Sequence, residues 1–272
     1  MNTLVAYKQP KTLLNKGTGF LEGYSHSLNP YSGCAFACSY CYVRGMPVSL
    51  FRGEVWGSWV DVKQGAAELF RKEMARAQAK GPVTIFMSSS TDPYQPIEYK
   101  ERVTRSLLEA MVDLPPDFLL LQTRSPLVTR DIDLLQRLGR GVRVSMTVET
   151  DREDIRKAFS PSAPPIAGRL NALRQLAEAG VPTQVAVAPL LPCSDGFAET
   201  LRSVTERVCV DDYFMGDGSG GKRTKRLGIG KLYEELGLQE WYEPAAYRNV
   251  YDRLASVFPA GAVLISQEGF LP

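Results

Sequence analysis

Long apolar runs are missing from this 272-residue chain. Nowhere do about 18 uncharged apolar residues stand together, so no membrane-spanning helix is predicted. The stretch MNTLVAYKQPK also lacks the apolar h-region of a secretory signal. An excess of charge is missing too: 32 Lys and Arg stand against 30 Asp and Glu, a net +2. That balance gives no global electrostatic case for a nucleic acid or a membrane surface, and any polyanionic partner has to be met locally. Histidine is reduced to His26, without the paired spacing from which a Cys/His zinc cage is built. Cysteine is scarce: of five, Cys193 and Cys209 are isolated and three are clustered. This is not the framework of a small disulfide-bonded secreted domain, and a cytoplasmic protein in a reducing compartment is the expectation.

What is present is concentrated in GCAFACSYCYV, which holds Cys34, Cys38 and Cys41. The spacing C-x3-C-x2-C offers three thiolates from one short loop and no fourth. An iron–sulfur cubane is normally held by four Cys thiolates, so three leave one iron open to a ligand that is not protein. Zinc, one alternative, asks for four ligands at tetrahedral geometry. Three unrelated cysteines are the other, although free cysteines are usually buried singly rather than gathered in a loop.

With Tyr40 directly before the last cysteine, the motif resembles the signature of the radical S-adenosylmethionine (SAM) superfamily. The resemblance implies a 4Fe-4S cluster on Cys34, Cys38 and Cys41, whose free iron chelates the amino and carboxylate groups of SAM. It further implies that the reduced cluster cleaves the sulfonium to give a 5'-deoxyadenosyl radical, and that a reductant such as flavodoxin or ferredoxin supplies the electron.

Along the chain, apolar strand-like runs alternate with helical patterns, which argues for repeated βα units around a mainly parallel sheet. Asp61 reads as the cap of a helix bearing Ala66, Ala67, Leu69, Phe70 and Met74, stopping near Gly81-Pro82. Strands are predicted at 83–87, 118–121, 142–148 and 185–188, with helices at 102–112, 132–138 and 170–177 between them. A strand at 23–29 must precede the cysteine loop, although GYSHSLN has poor strand propensity. Helix 197–208 and strand 209–215 complete the set. The fold class is α/β, a partial TIM-type (β/α)6 barrel over residues 1–215. Residues 216–272 form an extension: a Gly/basic loop, an aromatic-rich helix packed on the barrel (Trp241, Tyr242, Tyr247, Tyr251) and a short strand at 263–265. Loops that follow parallel barrel strands converge on one mouth. Here they read NPYSGCAFACSYCY, SSSTDPYQP, TRSP and VETD.

The ordered series SSSTDPYQP, LQTRSP, VSMTVET, AFSPSAPPIAGRLNAL and VAVAPLLP resembles the spore photoproduct lyase-like branch of that superfamily, over roughly residues 20–195. The resemblance implies that Thr91 and Asp92 meet the SAM amino group and that Arg124 meets its carboxylate, a role suited to a bidentate guanidinium. It implies Ser145 at the ribose with Glu149 as a second candidate, the backbone of Ala188 at the adenine, and Tyr40 at the adenine edge. From the residues alone, SSSTDP reads first as a turn and Arg124 as a solvated loop charge, and Ser145 as an ordinary strand residue. Tyr42, with Tyr94 and Tyr31, is a candidate redox-active or stacking residue, packing being the use that aromatic area favours.

The chain departs from the lyase of that branch where the lyase carries a hydrogen-donating cysteine after its second strand; here Ser89-Ser90-Thr91-Asp92 stands there. A serine O–H is a far poorer hydrogen-atom donor than a thiol, so repair of the spore photoproduct is not expected. Cys193, in PLLPCSD, is a substitute donor candidate, or else a small buried thiol. Further on, Gly216-x4-Gly221-Lys222 nearly matches a P-loop but fails where Ser or Thr must hold Mg2+, since Arg223 stands there. A P-loop-like nucleotide-binding protein and a non-catalytic metal-binding protein are therefore the readings from another class. Lys222, Arg223, Lys225 and Arg226 either clamp phosphates or form a flexible solvated loop. The expected function is a radical SAM enzyme acting on nucleic acid or a nucleotide. The alternative substrate is a small metabolite or a protein side chain, with the basic segment as a lid.

Overall fold

A computed structural model describes residues 3–272 of the chain. Its strands, in chain order, are β1 (Leu4–Lys8), β2 (Asn15–Lys16), β3 (His26–Leu28), β4 (Tyr31–Ser32), β5 (Trp59–Lys63), β6 (Thr84–Met87), β7 (Phe118–Thr123), β8 (Val142–Thr147), β9 (Thr183–Val187), β10 (Val208–Val210) and β11 (Val263–Ile265). The main sheet runs β2-β3-β6-β7-β8-β9-β10-β11. Every pairing in it is parallel except β2 with β3. Helices α1 (Ala66–Gln78), α2 (Val103–Asp113), α3 (Ile132–Leu138), α4 (Ile166–Glu178) and α5 (Phe197–Arg202) lie on the successive crossovers. The result is the α/β partial barrel, with β3 and β6 to β10 as its six strands and β11 added in parallel beside β10. Among the described residues no helix is long and apolar enough to cross a membrane.

Alternation along each strand sorts its side chains onto two faces. Leu119 and Leu121 of β7 and Val144 and Met146 of β8 join Leu107, Leu108 and Leu173 of the helices in the main core. The intervening Leu120 packs instead with Phe86, Ala186 and Cys209 on the opposite face, where Tyr24 and Phe270 cover them. β3 forms despite its composition because tertiary pairing replaces propensity: it registers with Ile85–Met87, and Ser25 exchanges hydrogen bonds with Thr84 at 2.9 Å.

Four elements differ from the sequence expectation. Asp61 is not a helix cap; it lies inside β5, where Lys8 Nζ at 2.6 Å and Arg52 at 3.1 Å neutralise its buried carboxylate. That strand joins β1 and β4 in a separate three-stranded sheet, and nothing in LVAYK alone marks β1 as a strand, since most of it is exposed. Strand β10 stops at Val210, because Asp212 Oδ1 accepts from the N–H groups of Phe214 and Met215 and starts a helical turn. The helix expected at 197–208 likewise ends at Arg202.

The glycine-rich segment is folded rather than a flexible loop. It builds α6 (Lys222–Arg226) and α7 (Ile229–Leu236), followed by α8 (Ala246–Val257), which packs on α5. The Asp217 carboxylate accepts from the N–H groups of Ser219, Gly221, Arg223 and Thr224 at 2.6, 3.0, 3.1 and 3.3 Å. Backbone N–H groups at a helix start are the seat a P-loop offers to phosphate. Here the chain's own carboxylate fills it.

Candidate active site

The cysteine loop leaves β4 and is fixed along its backbone by hydrogen bonds, most of them partly buried. Gly33 opens it at φ +80°, where a Cβ would come within 2.4 Å of the Trp59 carbonyl oxygen, so the close approach admits only glycine. The Gly33 carbonyl accepts from Thr91 Oγ1 at 2.6 Å and Gln95 Nε2 at 3.2 Å. Gln95 Oε1 in turn takes the Ala35 N–H at 2.9 Å. Arg44 donates to the Cys38 and Ala37 carbonyls at 3.1 and 2.8 Å, and the Ser39 N–H reaches the Phe159 carbonyl at 2.9 Å. A loop tied at five successive points presents its thiols in one arrangement.

Cys38 is buried, while Cys34 and Cys41 keep some exposure. Phe36, Ile155, Phe159, Leu191, Tyr213 and Tyr233 pack around them, an apolar shell of the kind that keeps water from a metal centre. Burial pushes the thiols of Cys34 and Cys41 up, Cys41 to about 11, with the charge of Cys38 adding. Ligation is what removes such protons. Among the described residues no three His, Cys, Asp or Glu side chains converge as they would on a single ion. A cubane takes one thiolate at each ligated iron, and three thiols on a fixed, apolar-walled loop fit such a cluster with one iron left open.

Arg124, after β7, brings the loops together. Its Nη1 lies 3.0 Å from Cys38 Sγ, 2.8 Å from Tyr40 Oη and 2.7 Å from Glu149 Oε1. The Tyr40 hydroxyl also donates to Glu149 Oε1. The other Glu149 oxygen accepts from Arg169 Nη1 at 2.6 Å. Arg169 is itself held by the carbonyls of Thr147 and Pro164 at 3.1 and 3.0 Å. Burial alone would raise the Glu149 carboxyl; the charges of Arg169 and Arg124, with the Tyr40 hydrogen bond, outweigh it and pull it down to about 2. The carboxylate is therefore ionised at any working pH.

The remaining sequence candidates are distributed as follows. Thr91 braces Gly33. Asp92 is buried, accepting from Thr123 Oγ1 at 2.7 Å and from the N–H groups of Tyr94 and Arg124, each at 2.9 Å; burial still raises its carboxyl. Asp92 thus fixes the backbone from which Arg124 reaches Cys38. Ser145 is fully buried in mid-strand and accepts from Gln184 Nε2 at 3.0 Å. Ala188 follows β9 at the edge of the inner cluster. Tyr42, one residue past Cys41, donates to the Ser89 carbonyl. Cys193 lies apart, in the main core with Phe197; burial and the charge of Asp151 push its thiol up to about 12. Of the basic residues, Arg223 turns inward to the Asp217 carbonyl at 2.6 Å, whereas Lys222, Lys225 and Arg226 are exposed. A cavity of about 570 Å³ lies elsewhere, around Tyr7, Lys63, Glu101 and Arg105, and holds none of these groups.

Two buried charged side chains escape a reading by motif. Arg169 stands on α4 with Leu173 and Leu176, at positions i, i+4 and i+7 of a buried face. A lone charge at a core position was the available signal. Asp211, just past β10, is 5% exposed. Burial, with the charges of Asp212 and Asp217, raises its carboxyl to about 7 against the hydrogen bonds from Ser266 and the Asp212 N–H. A folded pKa raised above the unfolded one stabilises fully below the unfolded value, near 3.8, and that contribution is lost as pH rises through about 7. Asp211→Asn removes the loss. Its stability relative to the parent is expected to rise by roughly 3–4 kcal/mol between pH 4 and pH 8, read by urea denaturation of the apo-protein. A difference independent of pH would contradict it.

The family model described as the Radical SAM superfamily matches residues 28–202. An uncharacterised protein of Methanocaldococcus jannaschii is 33% identical over 172 residues, covering 63% of this chain and 62% of that protein. A protein of Pseudomonas phage M6 named as a radical SAM Nalpha-GlyT isomerase is 31% identical over 166 residues, covering 60% of this chain and 32% of that one. The matches thus span less than two thirds of these relatives' own length. In three dimensions the chain superposes on a mutant of spore photoproduct lyase with a TM-score of 0.70 at 17% identity, covering 96% of this chain and 81% of that one. Another mutant of that lyase, with bound AdoMet and dinucleoside spore photoproduct, gives 0.66 at 18% identity over the same shares.

Proposed function

This chain belongs to the radical SAM superfamily, and from that premise we propose that its substrate is a nucleic acid or a nucleotide. It is an enzyme of that family, using a 4Fe-4S cluster and SAM. Those cofactors, when bound, supply reductive cleavage of the sulfonium and a 5'-deoxyadenosyl radical; the protein contributes ligation, orientation and the exclusion of water. Cys34, Cys38 and Cys41 are the ligands in this reading. Arg124 Nη1 serves Cys38, Tyr40 and Glu149, and in this reading Nε and Nη2 would be the donors to the carboxylate of SAM. Thr91 and Asp92 stand for the amino group, Ser145 for the ribose with Glu149 as the second candidate, the Ala188 backbone for the adenine and Tyr40 for its edge.

The observation that carries the substrate reading is the placement of α6. Its Arg223 stem reaches Gly45, in the turn directly after Cys41, while Lys222, Lys225 and Arg226 are exposed and form no ion pair among the described residues. Cations left unpaired beside the cluster loop suit phosphates. The dinucleoside held by a solved form of the lyase is in keeping with this choice.

Anisotropy of a labelled single-stranded oligonucleotide on the anaerobic holoenzyme tests it. Binding is expected to weaken with salt, and reversing Lys222, Lys225 and Arg226 to Glu is expected to flatten the log–log slope by about 2, at roughly 0.7 per phosphate contact. Salt-independent binding that the reversal leaves unchanged would instead favour the small metabolite or protein side chain, with α6 as a lid.

A further inference from the structure

The three thiols of the loop are not equivalent. Among the described residues, only Cys38 of the three has a guanidinium nitrogen in contact, Arg124 Nη1 at 3.0 Å from its sulfur. That guanidinium is not free to choose its position. Glu149 holds it at 2.7 Å, and Arg169 holds Glu149 at 2.6 Å from a side chain with no exposure. The Arg124 backbone is meanwhile tied to Asp92 at 2.9 Å.

The charged groups form one connected series: the Arg124 and Arg169 cations share the Glu149 carboxylate, the Asp92 carboxyl meets Arg124 only at its backbone N–H, and the Arg124 guanidinium extends past Glu149 to the Cys38 sulfur. We propose that Glu149 and Arg169 are positioning residues that fix the Arg124 guanidinium on Cys38 Sγ, and that this charge-assisted N–H···S bond raises the reduction potential of the cluster. Hydrogen bonds to cluster sulfurs and nearby positive charge are recognised levers on such potentials, and both stabilise the more negative, reduced state. The proposal rests on the cluster assignment above and is independent of what the substrate is.

Geometry can be separated from charge because lysine keeps the cation but loses the rigid fork. The test is the midpoint potential of the reconstituted cluster, followed by electron paramagnetic resonance in a redox titration without SAM, with iron content matched among proteins. Arg124→Gln is expected to move the potential clearly negative. Arg124→Lys is expected to move it the same way by less. Arg169→Lys, which reaches Arg124 through Glu149, is expected to give a smaller negative shift still. Should Arg169→Lys fail to fold, the two Arg124 variants decide the matter, since that side chain is 16% exposed and outside the hydrophobic core. A SAM-free potential unchanged in both Arg124 variants would overturn the proposal, whether or not SAM affinity falls. Failure of the radical SAM reading would show separately, as a loaded cluster that never consumes SAM.

Discussion

Replacing Arg169 with methionine is expected to destabilise the protein by about 3–5 kcal/mol, the usual cost of removing one partner from a buried ion pair. Methionine keeps much of the aliphatic volume, so the loss is mainly electrostatic. Arg169 has no solvent exposure and supplies hydrogen bonds to Glu149, Thr147 and Pro164. Without it, Glu149 keeps only Arg124 and Tyr40 as partners in a site that is 2% exposed. The pH dependence has a definite sign. Glu149 is pulled from 4.5 to about 2, so its contribution is present above about 4.5 and is lost as pH falls through about 2. The gap between parent and variant should therefore narrow as the medium is acidified below pH 4.5. Urea denaturation of the apo-protein at pH 7 and pH 3.5 measures both effects. A loss under about 1 kcal/mol at pH 7, the range of an exposed pair, would mean that the network is not the buried ion chain described here.

The second large effect concerns the loop. Cys34→Ala, Cys38→Ala and Cys41→Ala are each expected to reduce reconstituted iron and sulfide to near background, because three thiols on one loop leave no substitute ligand. Cys193→Ala and Cys209→Ala should retain the parent's iron content, since Cys193 lies in the main core and Cys209 in the inner barrel cluster. The loop backbone is held mostly by groups other than the thiols, among them Thr91, Gln95 and Arg44. Alanine variants should accordingly keep the parent's circular dichroism. Iron that survives in all three would show that the cluster is held elsewhere.

Much of this is legible in the sequence. The cysteine spacing, the buried runs at 118–121 and 142–148, and the order of loops behind them identify a parallel βα barrel and its mouth, because hydrophobic periodicity and ligand spacing are local. What escaped was non-local. LVAYK becomes a strand only by pairing with the buried WVDVK, and Asp61 looks like a cap until Lys8 and Arg52 arrive from elsewhere. Asp217 could not be seen filling the anion seat of a P-loop-like turn, since the pattern records glycines and lysine but not which acceptor folds back. Arg169 reads as one more polar residue in AGRLNAL until its side chain is found beneath Glu149. Tertiary partners of buried charges are the least readable part of a sequence, and here they tie Arg124 to the cysteine loop.

The most direct measurement is 5'-deoxyadenosine released after anaerobic reconstitution with iron and sulfide and addition of SAM and dithionite, for the parent and for Cys38→Ala. Release by the parent and none by the variant is the expected result. Equal release from both, or none from a parent whose loaded cluster also shows no change in its electron paramagnetic resonance on adding SAM, would contradict a radical SAM site built on Cys34, Cys38 and Cys41.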